Sequence, residues 1–266
     1  MTVMIVTSFG ATHRYPDQDM MRLTFRAFLN SIRNQTGKDL RLFISHHDKP
    51  KGVDCDDPFI YWCPVSGSPD HQKTLVPRNY PKTPMDLIDV DTLDYGISMT
   101  DMSRKTYNSV MWAGKYAYRE RLSSFWMLRM DSDDLLANDM VALLHDAQRQ
   151  GLRAIYNRTC HMFDPKRREI AIYAYPYSTT CNALFYELKG DQFIPDWYYH
   201  CNDHTSFASM VQKDGIVHRE IDFTFCIVTN SGNSISERPE IAREKNTVKI
   251  ALTESLIKRY GLESLL

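Results

Sequence analysis

The first 46 residues place two short apolar runs on either side of one amphipathic segment, and this order constrains the fold more than any other feature. The apolar runs are "VMIVTSF", starting at Val3, and "LRLFIS", starting at Leu40, and both are typical of buried strands. The segment between them, 19–37, carries apolar residues at helical spacing and ends at Gly37. A strand, a helix and a second strand predict a parallel pair joined by a right-handed crossover. We therefore predict an α/β fold with a mostly parallel central sheet flanked by helices.

We expect the whole chain, 1–266, to form a single domain, because 43% of its residues are hydrophobic and can form one sizeable core. Residues 50–100 are rich in Pro, Asp and Gly, and we expect a loop-rich insertion there with one short strand around Phe59–Trp62. The last segment, 237–266, has apolar residues such as Val248 at helical spacing and is predicted to be a helical tail. Such a tail could dock on the core, on another subunit or on a membrane surface.

The charge and cysteine content exclude several classes of protein. The net charge is −1, so no basic field points to a nucleic-acid partner. The six cysteines form no C-x-x-C pair, which indicates reduced, intracellular thiols. The chain lacks both the basic start of a signal peptide and an apolar run of about 18 residues that could cross a membrane. We expect a cytoplasmic protein without a transmembrane segment, although peripheral association with the inner face of the membrane is compatible with the sequence.

A cluster of acids follows the apolar run "FWMLRM": Asp131, Asp133 and Asp134. Ligands of open α/β sheets collect at the carboxyl ends of the strands, where these acids are expected to lie. Aspartates spaced D-x-D can present oxygens to Mg²⁺ or Mn²⁺, and such a metal neutralises charge on a departing diphosphate. The alternative is that the acids only cap the following helix, which we expect to be capped by Asn138 and to end at Gly151.

Arg129 lies in the same predicted strand and shares side-chain parity with Asp131. The other members of that strand are apolar, so we expect this arginine to be nearly buried and to require a partner. An acid of the cluster and a ligand phosphate are both suitable partners, and the sequence does not choose between them.

At these motifs the chain resembles nucleotide-sugar glycosyltransferases of the GT-A type, which have a Rossmann-related α/β fold. The segment "SIRNQTGKDLRLFISHHDKP" is similar to their early helix-strand segment, and "RMDSDDLL" resembles their D-x-D motif. The closer likeness is to a bacterial rhamnosyltransferase-like group, in which Arg-x-Asp-x-Asp-Asp ends a strand and a late Asn-x-x-Ser segment follows. Here that late segment is "TNSGNSIS", and the resemblance covers the chain up to residue 235.

The resemblance implies roles for several residues. Asp133 would ligate the metal, Mg²⁺ or Mn²⁺, and Asp131 would contact the metal or the ribose of the donor. The residues expected to line the nucleotide or its diphosphate are Thr7, Ser8, Asp48 near the nucleobase, Arg104, Lys105 and Arg129. Taken alone, the two helical basic residues of this set are more typical of a solvated helix face. Many relatives place a late histidine near the metal; the corresponding position here reads Thr-Asn, which leaves His218 as a substitute.

A second group of polar residues occurs in "YYHCNDHTSF", with His200, Asp203 and His204. Two histidines four residues apart on a helix can bind zinc, with His218 as a third ligand, and this pattern would fit a zinc-dependent hydrolase. The resemblance gives Asp203 a different role, as the base that deprotonates the acceptor hydroxyl in an inverting transfer. Asp203 is also well placed simply to cap the helix that follows it.

The sequence therefore predicts a metal-dependent glycosyltransferase that moves a hexose or deoxyhexose, with rhamnose as one candidate. The expected donor is a nucleoside-diphosphate sugar, and the expected acceptor is a saccharide or lipid-linked glycan. The alternatives are the zinc-dependent hydrolase built on His200, His204 and His218, and a saccharide-binding module without catalytic activity.

Overall fold

The computed structural model describes most of the chain. The described residues are 1–10, 12, 15–65, 74–77, 95–99, 101–179, 181–188, 204–228 and 247–266, and the backbone alone is described at 74–77, 95–99, 101–104 and 204.

These ranges contain fourteen strands and five α-helices. In chain order the strands are β1 (Thr2–Ser8), β2 (Leu40–His46), β3 (Ile60–Pro64), β4 (Thr74–Pro77), β5 (Tyr95–Met99), β6 (Ser124–Arg129), β7 (Asp134–Leu136), β8 (Ala154–Tyr156), β9 (Thr159–Asp164), β10 (Glu169–Ala174), β11 (Asn182–Glu187), β12 (His218–Glu220), β13 (Phe225–Val228) and β14 (Thr247–Ile250). The helices are α1 (Gln18–Arg33), α2 (Asp101–Arg119), α3 (Met140–Arg149), α4 (Phe207–Lys213) and α5 (Glu254–Tyr260), with 3-10 turns at His204–Ser206 and Leu262–Leu265.

The central sheet has seven strands in the order β12-β8-β11-β6-β1-β2-β3. Strand β1 runs parallel to β2 and β6, β2 runs parallel to β3, and β8 runs parallel to β12. Only β11 is antiparallel to both of its neighbours, so the other six strands point the same way. The predicted α/β class with a mostly parallel central sheet is confirmed, and the predicted β-α-β opening corresponds to β1, α1 and β2.

The register brings the ends of three strands to one edge of this sheet. Ser8 pairs with Ser45 on β2, and Val6 pairs with Arg129 on β6. Because these strands are parallel, the loops that follow β1, β2 and β6 all leave the sheet on the same side. We call this side the carboxyl edge, and it is where the acidic cluster was predicted to lie.

A second sheet packs beside the central one, in the order β14-β10-β9-β13-β7. One face of the central sheet joins α1, α3 and this second sheet in the larger apolar cluster, which includes Ile5, Phe28 and Phe163. The other face packs against α2 through residues such as Met127 and Met111.

The C-terminal segment differs from its prediction. Thr247–Ile250 is not helical: it forms β14, which pairs with Ile170–Tyr173 of β10, and Val248 is 64% exposed at this sheet edge. The β-branched residues of "TVKI" favour pairing with an open strand, and the helix begins only at Glu254, after the Thr253 cap. Beyond β14 the segment packs on the core, since the final helix and turn bury Tyr260, Leu262 and Leu265. Residues 237–246 lie outside the described ranges.

Helix α3 is also bounded differently from the prediction. Its N-cap residue is Asp139, and the predicted cap, Asn138, lies one position earlier. The Asn138 backbone is engaged elsewhere, because its N–H donates to the Arg259 carbonyl (2.9 Å) and its carbonyl accepts from the Thr36 N–H (2.8 Å). Gly151 follows the helix with a φ of 75°, as expected for a residue that ends it.

The insertion contains the predicted short strand, which is β3, and an antiparallel pair, β4 and β5, that was not predicted. No helix in the described ranges is long and apolar enough to cross a membrane. None of the five cysteines described, Cys55, Cys63, Cys160, Cys181 and Cys226, takes part in a disulfide.

Candidate functional site

Four elements meet at the three residues that follow or end β1, Ser8–Gly10, which we call the strand exit. The Ser132 hydroxyl, between the two aspartates of the D-x-D motif, donates to the Ser8 carbonyl (3.1 Å). The Phe9 N–H donates to the Ser45 carbonyl of β2 (2.8 Å). The acidic segment is therefore tied directly to the end of β1, and the end of β1 to β2.

Two further side chains bind the strand exit. The Lys105 ammonium donates to the Phe9 carbonyl (2.9 Å), and the Gly10 N–H donates to the Tyr15 hydroxyl oxygen (3.1 Å). Lys105 is only 1% exposed, so its charge lies inside the protein and not on a solvated helix face. Helix α2 and the loop before α1 thus converge on the same three residues as the acidic segment.

The acidic segment Asp131–Asp134, here called the acid loop, connects β6 to β7. Its ends are joined by the Asp134 N–H, which donates to the Asp131 carbonyl (3.3 Å). Asp131 and Asp133 are half-buried, whereas Asp134 is 5% exposed. The chain continues into a strand and not into a helix, so the alternative that these acids cap a helix is wrong.

The far end of the acid loop is fixed by α1 and α3. The Leu136 N–H of β7 donates to the Ser31 hydroxyl (3.0 Å). The fully buried Gln35 amide donates to the Ala137 carbonyl (2.8 Å) and accepts from the Val141 N–H of α3 (3.2 Å). These contacts hold the residues after the acid loop as firmly as Ser132 holds its middle.

Three of the predicted carboxylates influence the electrostatics of Tyr15. Burial raises the pKa of Tyr15 most, and the charges of Asp133, Asp131 and Asp48 raise it further, against the opposing Gly10 N–H. Acids from two separate loops therefore act on one phenol above the strand exit.

The charges of the acid loop act on a buried thiol, that of Cys181. Burial, Asp134 and Asp131 raise the pKa of Cys181 to about 12, while hydrogen bonds from Thr224 and Asn157 oppose the shift. The Asn157 side chain bonds both the Thr224 and the Thr179 hydroxyls. Strand β11 begins just after Cys181 and pairs Asn182 with Arg129, the last residue of β6. Because the acid loop follows β6, the segment before β11 runs beside it.

The remaining predicted residues occupy several positions at this edge. Thr7 shares parity with Ile5 and is 1% exposed, so it faces the apolar core beneath the strand exit. The Asp48 carboxylate accepts from the Thr12 N–H (3.1 Å) and from its hydroxyl, which anchors the loop before α1. Arg129 is half-buried at the last position of β6.

Other predicted residues are described only in part. Arg104 lies in the first turn of α2, with its side chain outside the described set, and His204 begins a 3-10 turn under the same restriction. Asp203 and His200 lie outside the described residues.

His218 is placed away from the acid loop. It opens β12, pairs with Ala154, and its Nδ1 contacts the carbonyl of Ile216 (2.7 Å). Three strand spacings separate β12 from β6, about 14 Å across the sheet. The hypothesis that His218 replaces the missing metal-binding histidine is therefore wrong.

The metal-binding capacity of the acid loop depends on few protein ligands. In the described part of the chain, no group of three or more His, Cys, Asp or Glu residues is arranged to hold a metal ion. Magnesium and manganese are nevertheless commonly held by one or two carboxylates, with water and substrate phosphate completing the coordination. The two hard oxygen donors Asp131 and Asp133, tied at Ser132, fit such an ion.

Sequence reasoning missed Tyr15 and His46. Tyr15 is a single aromatic residue in a loop. The only feature of the sequence that could have indicated its position is Gly10, because a residue without a side chain leaves room for a bulky ring. His46 ends β2 against Trp62, with ring centroids 5.0 Å apart. Burial and then the charge of Lys49 lower its pKa to about 4, so it is neutral at pH 7.

Comparison with known proteins gives little independent information. No protein-family model and no curated protein matches the chain. Among solved structures, one similar chain is a protein from Desulfovibrio desulfuricans G20 provisionally assigned as a nucleotide-diphospho-sugar transferase. It shares 9% identity and a TM-score of 0.40 over 100% of this chain and 97% of its own. Values this low leave the function to be argued from the residues themselves.

Proposed function

We propose that this chain is a metal-dependent transferase that takes a hexose or deoxyhexose, such as rhamnose, from a nucleoside-diphosphate donor. The acceptor is a saccharide or a lipid-linked glycan. The observation that carries the proposal is the convergence at the strand exit of the acid loop, the buried Lys105 and the loop that Asp48 anchors. This convergence lies at the carboxyl edge of a mostly parallel sheet, the side on which such sheets bind ligands.

The side chains have complementary parts in this proposal. Asp131 and Asp133 would hold Mg²⁺ or Mn²⁺, which supplies positive charge to a departing diphosphate. Lys105 places a second, buried positive charge at Phe9, and a charge with little exposure to water acts strongly on a nearby anion. Arg129, at the end of β6, would contact a phosphate of the donor.

The base in the proposed reaction is Asp203. A positioned carboxylate takes the proton from the acceptor hydroxyl as the new glycosidic bond forms, and the anomeric centre is inverted. We expect Asp203→Asn to abolish transfer while nucleotide binding is retained. The configuration of the product, read by proton NMR, is the second check, because a retained configuration would exclude this role.

The first test is calorimetric binding of UDP, dTDP, GDP and CMP, with and without Mn²⁺. We expect one of the three nucleoside diphosphates, and not CMP, to bind only with the metal, and Asp133→Ala to abolish that binding without lowering the thermal midpoint. Asp146→Ala is a matched control, since Asp146 is an exposed acid of α3 that pairs only with a surface arginine in the described contacts. Unchanged binding in Asp133→Ala would contradict the metal site.

Two other results would redirect the proposal. If no nucleotide binds but saccharides do, the chain is a saccharide-binding module. Stoichiometric, tightly bound zinc in the purified protein would instead favour a hydrolase. No described contact supports the hydrolase at present, because His218 lies apart and the side chains of His200 and His204 lie outside the described set.

A further inference from the structure

The ring of Tyr15 lies directly across Gly10. A Cβ atom at Gly10 would come 2.4 Å from the Tyr15 hydroxyl oxygen and 2.8 Å from its Cζ atom. Real side chains do not approach so closely, so the absence of a side chain at position 10 allows the tyrosine to reach the strand exit. The Phe9 ring supports it from one side, with centroids 5.7 Å apart.

The hydrogen bonding of the phenol leaves its proton available to a ligand. The Gly10 N–H donates to the Tyr15 oxygen, which therefore serves as an acceptor at this contact. A tyrosine hydroxyl has one hydrogen to donate, and it cannot donate that hydrogen to the same N–H group. The structure thus fixes the oxygen and orients the donor away from the backbone of the strand exit.

The loop that carries Tyr15 is held at several points. Thr12 is bound to the Asp48 carboxylate through its N–H and its hydroxyl. The Gln18 amide donates to the Thr12 carbonyl and to the Tyr15 carbonyl, the latter at 3.0 Å. A residue fixed in this way can bind a ligand without a large loss of conformational entropy.

The surroundings indicate what kind of ligand this hydroxyl meets. The charges of Asp133 and Asp131 act on the phenol, and Ser132 between them is bound to Ser8, two residues before Gly10. A ligand held by these two aspartates through a divalent cation must present anionic oxygens to the cation. The same oxygens would come within reach of the phenol, and a phenol donates well to a charged oxygen.

We propose that Tyr15 is a substrate-binding residue whose hydroxyl donates a hydrogen bond to a phosphate oxygen of the metal-bound nucleoside diphosphate. This inference rests on the proposed function and adds a contact that the sequence motifs did not indicate. It assigns the loop between β1 and α1 to the phosphate part of the donor, with Asp48 anchoring that loop.

The test is calorimetry of wild type and Tyr15→Phe with Mg²⁺ and whichever of UDP, dTDP and GDP binds wild type. Phenylalanine keeps the ring on Phe9 and Gly10 and removes only the hydroxyl. We expect affinity to fall about tenfold or more, as for a lost hydrogen bond to a charged group, while urea unfolding of the ligand-free protein shows only the loss of the bond to the Gly10 N–H, about 1–2 kcal/mol. The ³¹P shifts of the bound diphosphate should also differ between the two proteins.

Tyr116→Phe is the matched control. The hydroxyl of Tyr116 accepts from Arg41 (2.7 Å) on the opposite side of the sheet, so its loss should leave nucleotide affinity unchanged. Gly10→Ala gives an independent perturbation: it should weaken binding in wild type, because it displaces Tyr15, and add nothing in a Tyr15→Ala background. Additive losses would contradict the arrangement.

The outcomes separate this inference from the proposed function. If wild type binds a nucleoside diphosphate and Tyr15→Phe binds it equally well, the tyrosine contact is wrong and the transferase proposal stands. An equal loss of affinity in Tyr116→Phe would also overturn the contact, as would a loss of stability in ligand-free Tyr15→Phe much larger than one hydrogen bond accounts for. If wild type binds none of the three nucleotides, both proposals fail.

Discussion

Replacing Gln35 by methionine should measure how much the hydrogen bonds of this side chain stabilise the segment that follows the acid loop. The Gln35 amide is fully buried and links the end of α1 to the Ala137 carbonyl and to the Val141 N–H. The amide also donates to the Ser31 carbonyl (3.0 Å). Methionine has a similar length but makes none of these bonds, so three polar groups lose a buried partner. Each such group costs about 1–3 kcal/mol, and the more apolar side chain returns about 1 kcal/mol.

We therefore expect the free energy of unfolding to fall by about 5 kcal/mol. For a domain of this size that corresponds to a midpoint lower by roughly 10–20 °C. Urea unfolding followed by circular dichroism measures the first quantity, and thermal unfolding followed by the same signal measures the second.

The control is Gln148→Met, which makes the same chemical change at an exposed position of α3. Its effect should stay within about 0.5 kcal/mol. A loss of less than about 2 kcal/mol in Gln35→Met would refute the reasoning, because it would mean that water or a local shift satisfies the three backbone groups. Because β7 follows the acid loop, Gln35→Met should also bind the metal-nucleotide complex more weakly than Gln148→Met does.

Two more predictions concern the packing of the chain. Tyr260→Phe removes a buried hydroxyl that donates to the Phe223 carbonyl (2.8 Å) and contacts His161 Nδ1 (2.8 Å). Urea unfolding should therefore show a free energy of unfolding lower by about 2 kcal/mol. The control Tyr118→Phe, at a half-exposed tyrosine, should show almost no change. Burial lowers the pKa of His46 and of His161 to about 4, whereas a histidine in the unfolded chain has a pKa of about 6.5. As the pH falls, the unfolded chain therefore binds protons before the folded chain does, and stability is lost between about pH 6.5 and pH 4. We expect each histidine to contribute about 2 kcal/mol of loss between pH 7.5 and 5, and His46→Gln to flatten that part of the stability curve; a curve unchanged by the substitution would contradict the buried, neutral histidine.

The local pattern of the chain was enough to predict the strands and helices that begin the fold. Apolar runs of strand length and apolar residues at helical spacing report which face of each element is buried, and burial dominates the choice of secondary structure there. The same reasoning failed at Thr247–Ile250, where the spacing suited a helix but the open edge of β10 offered pairing partners. Helix spacing cannot reveal that a distant strand lacks a neighbour.

The candidate site shows a similar division. The acids of the D-x-D motif and their place after a buried strand could be predicted, because ligands gather at the ends of parallel strands. The buried contact of Lys105 with the Phe9 carbonyl could not, since a lysine on a helix carries no sign of whether its ammonium meets water or a backbone carbonyl. The absence of His218 from the site likewise depends on strand order, which spacing along the chain does not contain.

The sequence by itself determined the α/β class, the order of the first strands and helix, and the acidic segment at the end of a buried strand. These features depend on interactions between residues near one another in the chain. Only the tertiary structure decided that Ser132, Lys105 and Tyr15 all bind the three residues at the end of β1. The Ser132 and Lys105 contacts join residues 124 and 96 positions apart, and they form only when the parallel register brings the strand ends together.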